Sequence, residues 1–231
     1  MEGRMASGTF KIMAIMGLLL LGSSVAYAVP TLIISDGNPL DTVTVVDNGA
    51  GDLDSDAGVV EWSGTIGGWT VNVDTGVTKP VQGSATVPSM DLSYIDKPSA
   101  AGTLTITWSD TGFGPLTSPV IDFLATWGVT NPSGTTAVYD VYQSAGSTIP
   151  ATGLLINSGT LSGATSGSQI AVANFTGSPF VLTQSLTLTA TGKANSSSGD
   201  LTLDAVPEPS ALLLLGSGLL GFGFLRLRKR G

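Results

Sequence analysis

Period-two alternation of apolar residues with threonine constrains this chain more than any other feature. In Thr103–Trp108, Leu104, Ile106 and Trp108 fall on one side and the threonines on the other. Trp69-Thr70-Val71-Asn72-Val73 places Trp69, Val71 and Val73 together, and Thr42–Val45 alternates likewise. Ala137, Tyr139 and Val141 share a face, as do Leu182, Leu186 and Leu188. Successive side chains of a strand point to opposite faces, so the pattern predicts half-buried strands with threonine on the wet face. Turn chemistry separates them at Asn48-Gly49, Gly67-Gly68, Gly112–Pro115, Asn131–Gly134 and Asn157–Gly159. Thr31–Ser35 reads as a further strand, Lys193–Asp200 as a polar loop and Leu201–Leu203 as the last strand. No segment from 29 to 205 sustains a helical period. The expectation is an all-β, antiparallel two-sheet β-sandwich, jelly-roll-like, of roughly eight to eleven strands.

Both ends of the chain read differently. Arg4 and Lys11 precede an apolar run from Ile12 to Leu21, and Ala26-Tyr27-Ala28 closes the stretch. A charged segment, an apolar segment and an A-x-A site predict a signal helix over 1–28, cleaved after Ala28. At the other end, Val206-Pro207-Glu208-Pro209 leads into an uncharged run from Ala211 to Leu225. Fifteen helical residues rise about 22 Å, short of the roughly 30 Å core of a bilayer. Local thinning and snorkelling of Arg226 and Arg228 can absorb the difference. The basic end, Arg226, Arg228, Lys229 and Arg230, favours the cytoplasmic side. The expected order is a signal peptide (1–28), a β-sandwich domain (29–205), and a tail (206–231) of proline hinge, short transmembrane helix and basic stub.

Pro207-Glu208-Pro209, a Leu/Gly membrane run and an Arg-rich end, in that order, resemble the PEP-CTERM sorting signal of Gram-negative, biofilm-forming bacteria. The resemblance implies processing near Val206, Pro207, Glu208 and Pro209 by an exosortase, a membrane-bound sorting peptidase. It implies delivery to the cell surface or extracellular matrix after a transient membrane-anchored stage. A second stretch, Asp47–Asp52 through Val73, resembles a segment of uncharacterised proteins carrying the same tail. That group brings no assigned chemistry with it.

Charge narrows the partners. The 29–205 segment holds three lysines (Lys79, Lys97 and Lys193) and no arginine against fifteen acidic residues, a formal charge of −12. Such a surface repels nucleic acid and anionic headgroups. The chain has no Cys, which excludes a disulfide framework, and no His, which removes the usual triad base and the commonest metal ligand.

Asp52-Leu53-Asp54-Ser55-Asp56 carries carboxylates at i, i+2 and i+4. Such a loop can converge on Ca²⁺, which takes six to eight oxygens. The match to an EF-type loop is incomplete: Ala57 stands at the sixth position and Ser63 at the twelfth. A Ca²⁺ site and a solvated acidic turn therefore both stand as readings. Trp69 and Trp108 fall on apolar faces and are expected in the core, whereas Trp62 and Trp127 are ambiguous. No spacing singles out a carboxyl pair for glycoside hydrolysis, and no G-x-S-x-G elbow occurs. The expected function is that of a non-enzymatic surface or matrix protein, associated with exopolysaccharide and sorted by an exosortase. The rival is a Ca²⁺-dependent adhesin or glycan-binding module using Asp52, Asp54 and Asp56.

Overall fold

Residues 29–116, 120–174 and 178–206 are described in a computed structural model of the chain. The expected signal helix with Ala26 and Ala28, Pro207–Pro209, the membrane helix and Arg226–Arg230 lie outside those residues. Among the described residues, no helix is long and apolar enough to cross a membrane.

The alternating stretches all form strands, and most strands run beyond the alternation that announces them. Twelve are described: β1 (Thr31–Ser35), β2 (Thr42–Val46), β3 (Val59–Ile66), β4 (Trp69–Val77), β5 (Ser89–Pro98) and β6 (Gly102–Phe113). There follow β7 (Val120–Thr130), β8 (Thr135–Ala145), β9 (Leu154–Ser162), β10 (Ala164–Asn174), β11 (Phe180–Ala190) and β12 (Ser197–Val206). A single 3-10 turn, Pro39–Asp41, joins the first two, capped by the Asn38 side chain on the Leu40 amide. The strands form two six-stranded sheets, ordered β2-β1-β6-β11-β8-β9 and β10-β7-β12-β5-β4-β3. Every pairing is antiparallel. From β5 onward the chain crosses between the sheets at nearly every step, and only β8 and β9 are consecutive neighbours in one sheet.

Leu104, Ile106 and Trp108 of β6, with Leu182, Leu186 and Leu188 of β11, face Met90, Leu92, Leu201 and Leu203 in one core. Trp69 and Trp108 are buried, as their faces predict. Trp108 lies flat against β4, where a Cβ on Gly76 would come within 2.3 Å of its ring. Its indole nitrogen donates to the Val77 carbonyl at 3.3 Å. Trp62 and Trp127 are half-buried at the edge of the core and close on Gly64 and Gly167 in the neighbouring strand segments. The hairpin Gly67-Gly68 turns with Gly67 at φ +50°, where a side chain would also strike the Asp36 carboxylate.

Three local readings are corrected. Gly112-Phe113 lies within β6, and Asn157–Gly159 lies within β9, although both carry turn residues. Ser197–Asp200, expected in a polar loop, opens β12. Pairing of β6 with β11, of β9 with β8, and of β12 with β5 and β7 overrides the local turn preference, because an unpaired ladder would leave backbone hydrogen bonds unmade. Register adds a fourth correction. A bulge interrupts the β4–β5 pairing between Val71 and Val73. Beyond it, Asp74, Gly76 and Thr78 take the inward positions. The face expected to hold Trp69, Val71 and Val73 therefore passes to Asp74; the Val73 side chain lies outside the described residues.

Candidate functional site

The acidic loop between β2 and β3 is held by its own carboxylates. Asp52 accepts from the amides of Asn48 (2.8 Å), Asp54 (3.2 Å) and Glu61 (3.0 Å). Asp54 accepts from the Asp56 amide at 2.7 Å, and Asp47 from the Gly58 amide at 3.0 Å. Asp52 and Asp54 each accept from an amide two residues ahead, which is how aspartate builds turns, and Asp47 closes the loop across eleven residues. The side chains therefore run along the chain instead of meeting. Among the described residues no group of three acids gathers in a metal-holding arrangement. The convergence of Asp52, Asp54 and Asp56 on one cation, expected for the Ca²⁺ reading, is not formed.

The bulge in β4 creates a polar centre that sequence patterning missed. Asp74 and Asp96 both have 0% exposure between the sheets. As ionised groups, none of their four oxygens finds a hydrogen-bond donor. Burial first, and the neighbouring Asp96 charge second, push the Asp74 carboxyl well above the usual carboxylate range. Burial likewise pushes Asp96 up to about 8. Both carboxyls are therefore shifted towards the neutral, protonated form. Tyr94, opposite Asp74 in the ladder, is pushed up to about 12, chiefly by burial. Ser197 donates to the Asn131 side-chain oxygen, and the Asn131 amide donates to the Leu161 carbonyl at 3.2 Å. This polar cluster fixes one end of the sandwich but offers no path to a substrate.

Two further carboxylate groupings are structural in geometry. Asp110, fully buried, accepts from Lys79 at 2.5 Å, from Thr78 at 2.9 Å and from its neighbour's amide at 2.7 Å. Burial raises its carboxyl, and the Lys79 ammonium, which also lies 3.9 Å from the centre of the Phe113 ring, offsets that rise. On the outer face of the second sheet, Asp91 is pushed up to about 8 by burial, then by the hydrogen bond and charge of Asp200, with Asp204 adding to it. Asp204 in turn accepts from Ser89 at 2.5 Å.

Above the Asp74–Asp96 centre, the same end of the sandwich opens in a cleft of about 400 Å³. Lys97 from the end of β5, Pro132 and Ser133 from the β7–β8 turn, and Lys193, Ala194 and Asn195 from the β11–β12 connection line it. The Ala194 amide donates to the Pro98 carbonyl, and the Thr191 amide to the Gly134 carbonyl, which ties the three segments together. Lys79–Asp110 is the ion pair found among the described residues, so Lys97 and Lys193 line the cleft without a carboxylate partner. A count of three lysines was legible in sequence; the meeting of two of them was not.

β12 starts beside this cleft and ends at Val206 on the opposite end of the sandwich. The PEP-CTERM protein-sorting motif matches residues 205–229, beginning inside the last turn of that strand's ladder. The motif marks an exported, exosortase-processed protein that passes the inner membrane with a transient C-terminal anchor. No curated protein sequence matches the chain. Among solved structures it is similar to the enzymatically active domain of bacteriophage CBA120 tailspike protein 4, at 10% identity and a TM-score of 0.32. That alignment covers 60% of this chain and 19% of the tailspike chain. It is also similar to TmCBM61 in complex with β-1,4-galactotriose, at 8% identity and a TM-score of 0.26, over 61% of this chain and 88% of that one. A third similarity is to infectious bursal disease virus, Gx strain, at 13% identity and a TM-score of 0.29, over 79% and 52%. Likeness at this level carries no functional argument.

Proposed function

We propose that this exosortase-sorted chain is a non-enzymatic structural protein of the cell surface or extracellular matrix, displayed as a β-sandwich and in contact with exopolysaccharide. The observation that carries this reading is the direct join of sorting motif and fold. The motif match begins at residue 205, and β12 ends at Val206, between β5 and β7 within its sheet. Processing near Pro207–Pro209 releases a sandwich whose last strand is already paired on both sides. Its strand order supports a jelly roll. β5-β12-β7-β10 and β6-β11-β8-β9 follow the order of two interleaved Greek keys, with β3, β4 and β1, β2 extending one side. A Ca²⁺-dependent adhesin draws no support from Asp52, Asp54 and Asp56, of which Asp52 and Asp54 accept from backbone amides.

Fractionation of cells making the full chain tests this reading. The wild-type chain is expected at the surface or in the matrix, shortened at both ends. Pro207→Ala with Glu208→Ala, or loss of the exosortase, is expected to leave an unprocessed form in the inner membrane. Surface delivery unchanged by either perturbation refutes the proposal.

A further inference from the structure

We propose that the Lys97–Lys193 cleft is a binding site for the carboxylate of an acidic saccharide, of the hexuronate class. Charge economy is the first ground. The 29–205 segment has fifteen acidic residues and three basic ones, and the buried Asp110 takes Lys79. The remaining two lysines come from β5 and from the β11–β12 connection, and they line one cleft. Neither pairs with an aspartate among the described residues. Both ammonium groups are exposed, so both are available to an anion entering the cleft.

Size and lining give the second ground. A cleft of about 400 Å³ is in the range of small organic ligands, roughly 300–1,000 Å³, and far larger than an inorganic ion needs. Beside the lysines it offers the Ser133 hydroxyl, the Asn195 amide, and the small apolar faces of Pro132 and Ala194. Hydroxyl and amide groups suit ring hydroxyls, the apolar faces suit a sugar's C–H face, and the ammonium groups suit a carboxylate. The acidic surface of the 29–205 segment repels long polyanions such as nucleic acid, so a short hexuronate segment held at the two lysines fits better.

Placement is the third ground. β12 runs from beside the cleft to the sorting tail over ten residues, about 33 Å at the rise of a strand. The cleft therefore lies at the end of the sandwich opposite Val206, where the strand ends. The proposal rests on the surface-display reading for its partner, and it sharpens that partner to one sugar class.

Titration calorimetry of the full chain in a non-ionic detergent tests it, with tri-galacturonate, neutral cellotriose and inorganic sulfate as probes. Tri-galacturonate is expected to bind, cellotriose to give no heat, and added salt to weaken binding. Lys97→Gln with Lys193→Gln is expected to weaken tri-galacturonate by about tenfold or more. Both side chains are exposed, so the melting curve of the double variant is expected to match wild type; Lys193→Gln alone, in the loop, provides a milder second variant. No binding of tri-galacturonate overturns the proposal. So does undiminished binding by both variants, or displacement by equimolar sulfate, which would mark an ion site. Surface delivery in the fractionation experiment is read independently, so failure here leaves the display reading standing.

Discussion

Raising the pH from about 4 to about 8 is expected to destabilise this protein, because Asp74 and Asp96 enter the folded core with their protons. Most carboxylates act in the opposite direction. The folded-state pKa of Asp96 is raised from 3.8 to about 8, so between those values the native state binds a proton that the unfolded chain releases. Its contribution is fully present below the unfolded pKa and is lost as pH rises through the folded one. One proton over about four pH units, at 1.36 kcal/mol per unit, amounts to on the order of 5 kcal/mol. For a chain of this size that corresponds to roughly 10–20 °C in melting temperature. Asp91, also raised to about 8 and partly exposed, acts in the same direction. The assay is thermal unfolding followed by near-ultraviolet circular dichroism of the buried tryptophans across this pH range. The double variant Asp74→Asn with Asp96→Asn keeps the shape and removes the ionisable pair. It is expected to flatten most of the pH slope and to melt above wild type at pH about 8. A wild-type melting temperature that rises or stays level from acid to neutral pH refutes the reasoning, as does a double variant with an unchanged slope.

Removing the partner of a buried charge has a separate signature. Lys79→Met leaves Asp110 uncompensated at 0% exposure and is expected to cost about 3–5 kcal/mol in a denaturant titration, with recovery when Asp110→Asn is added. Gly76→Ala places a methyl group within 2.3 Å of the Trp108 ring. It is expected to cost at least about 1–3 kcal/mol by overpacking and to change the tryptophan near-ultraviolet signal. Asp52→Ala removes the acceptor of three loop amides and is expected to lower the melting temperature by several degrees. Wild-type melting in Ca²⁺ and in chelator is expected to coincide, and a Ca²⁺-dependent rise would restore the loop as a cation site.

Local pattern carried most of the fold. Thr103–Trp108 and Trp69–Val71 announce their strands and inward faces, because the side-chain period of a strand is two whatever it pairs with. Gly67-Gly68 and Asn131–Gly134 announce turns because few other residues adopt such backbones cheaply. Residues whose state depends on their neighbours were misread. Asn157–Gly159 and Gly112-Phe113 carry turn chemistry, yet β9 and β6 hold them in ladders that their own sequence does not encode.

By itself the sequence determined the alternating all-β character of the middle, the core positions of Trp69 and Trp108, and the sorting motif at the end. Each of these is a local property of spacing, hydropathy or charge. Only the tertiary structure decided that a bulge at Asn72 turns Asp74 inward against Asp96. Only the crossing of the chain between two sheets brought Lys97 to Lys193, at the end opposite the tail. Bulges and inter-sheet crossings depend on contacts between residues far apart in the chain, and a one-residue shift in register exchanges the face on which every later side chain stands.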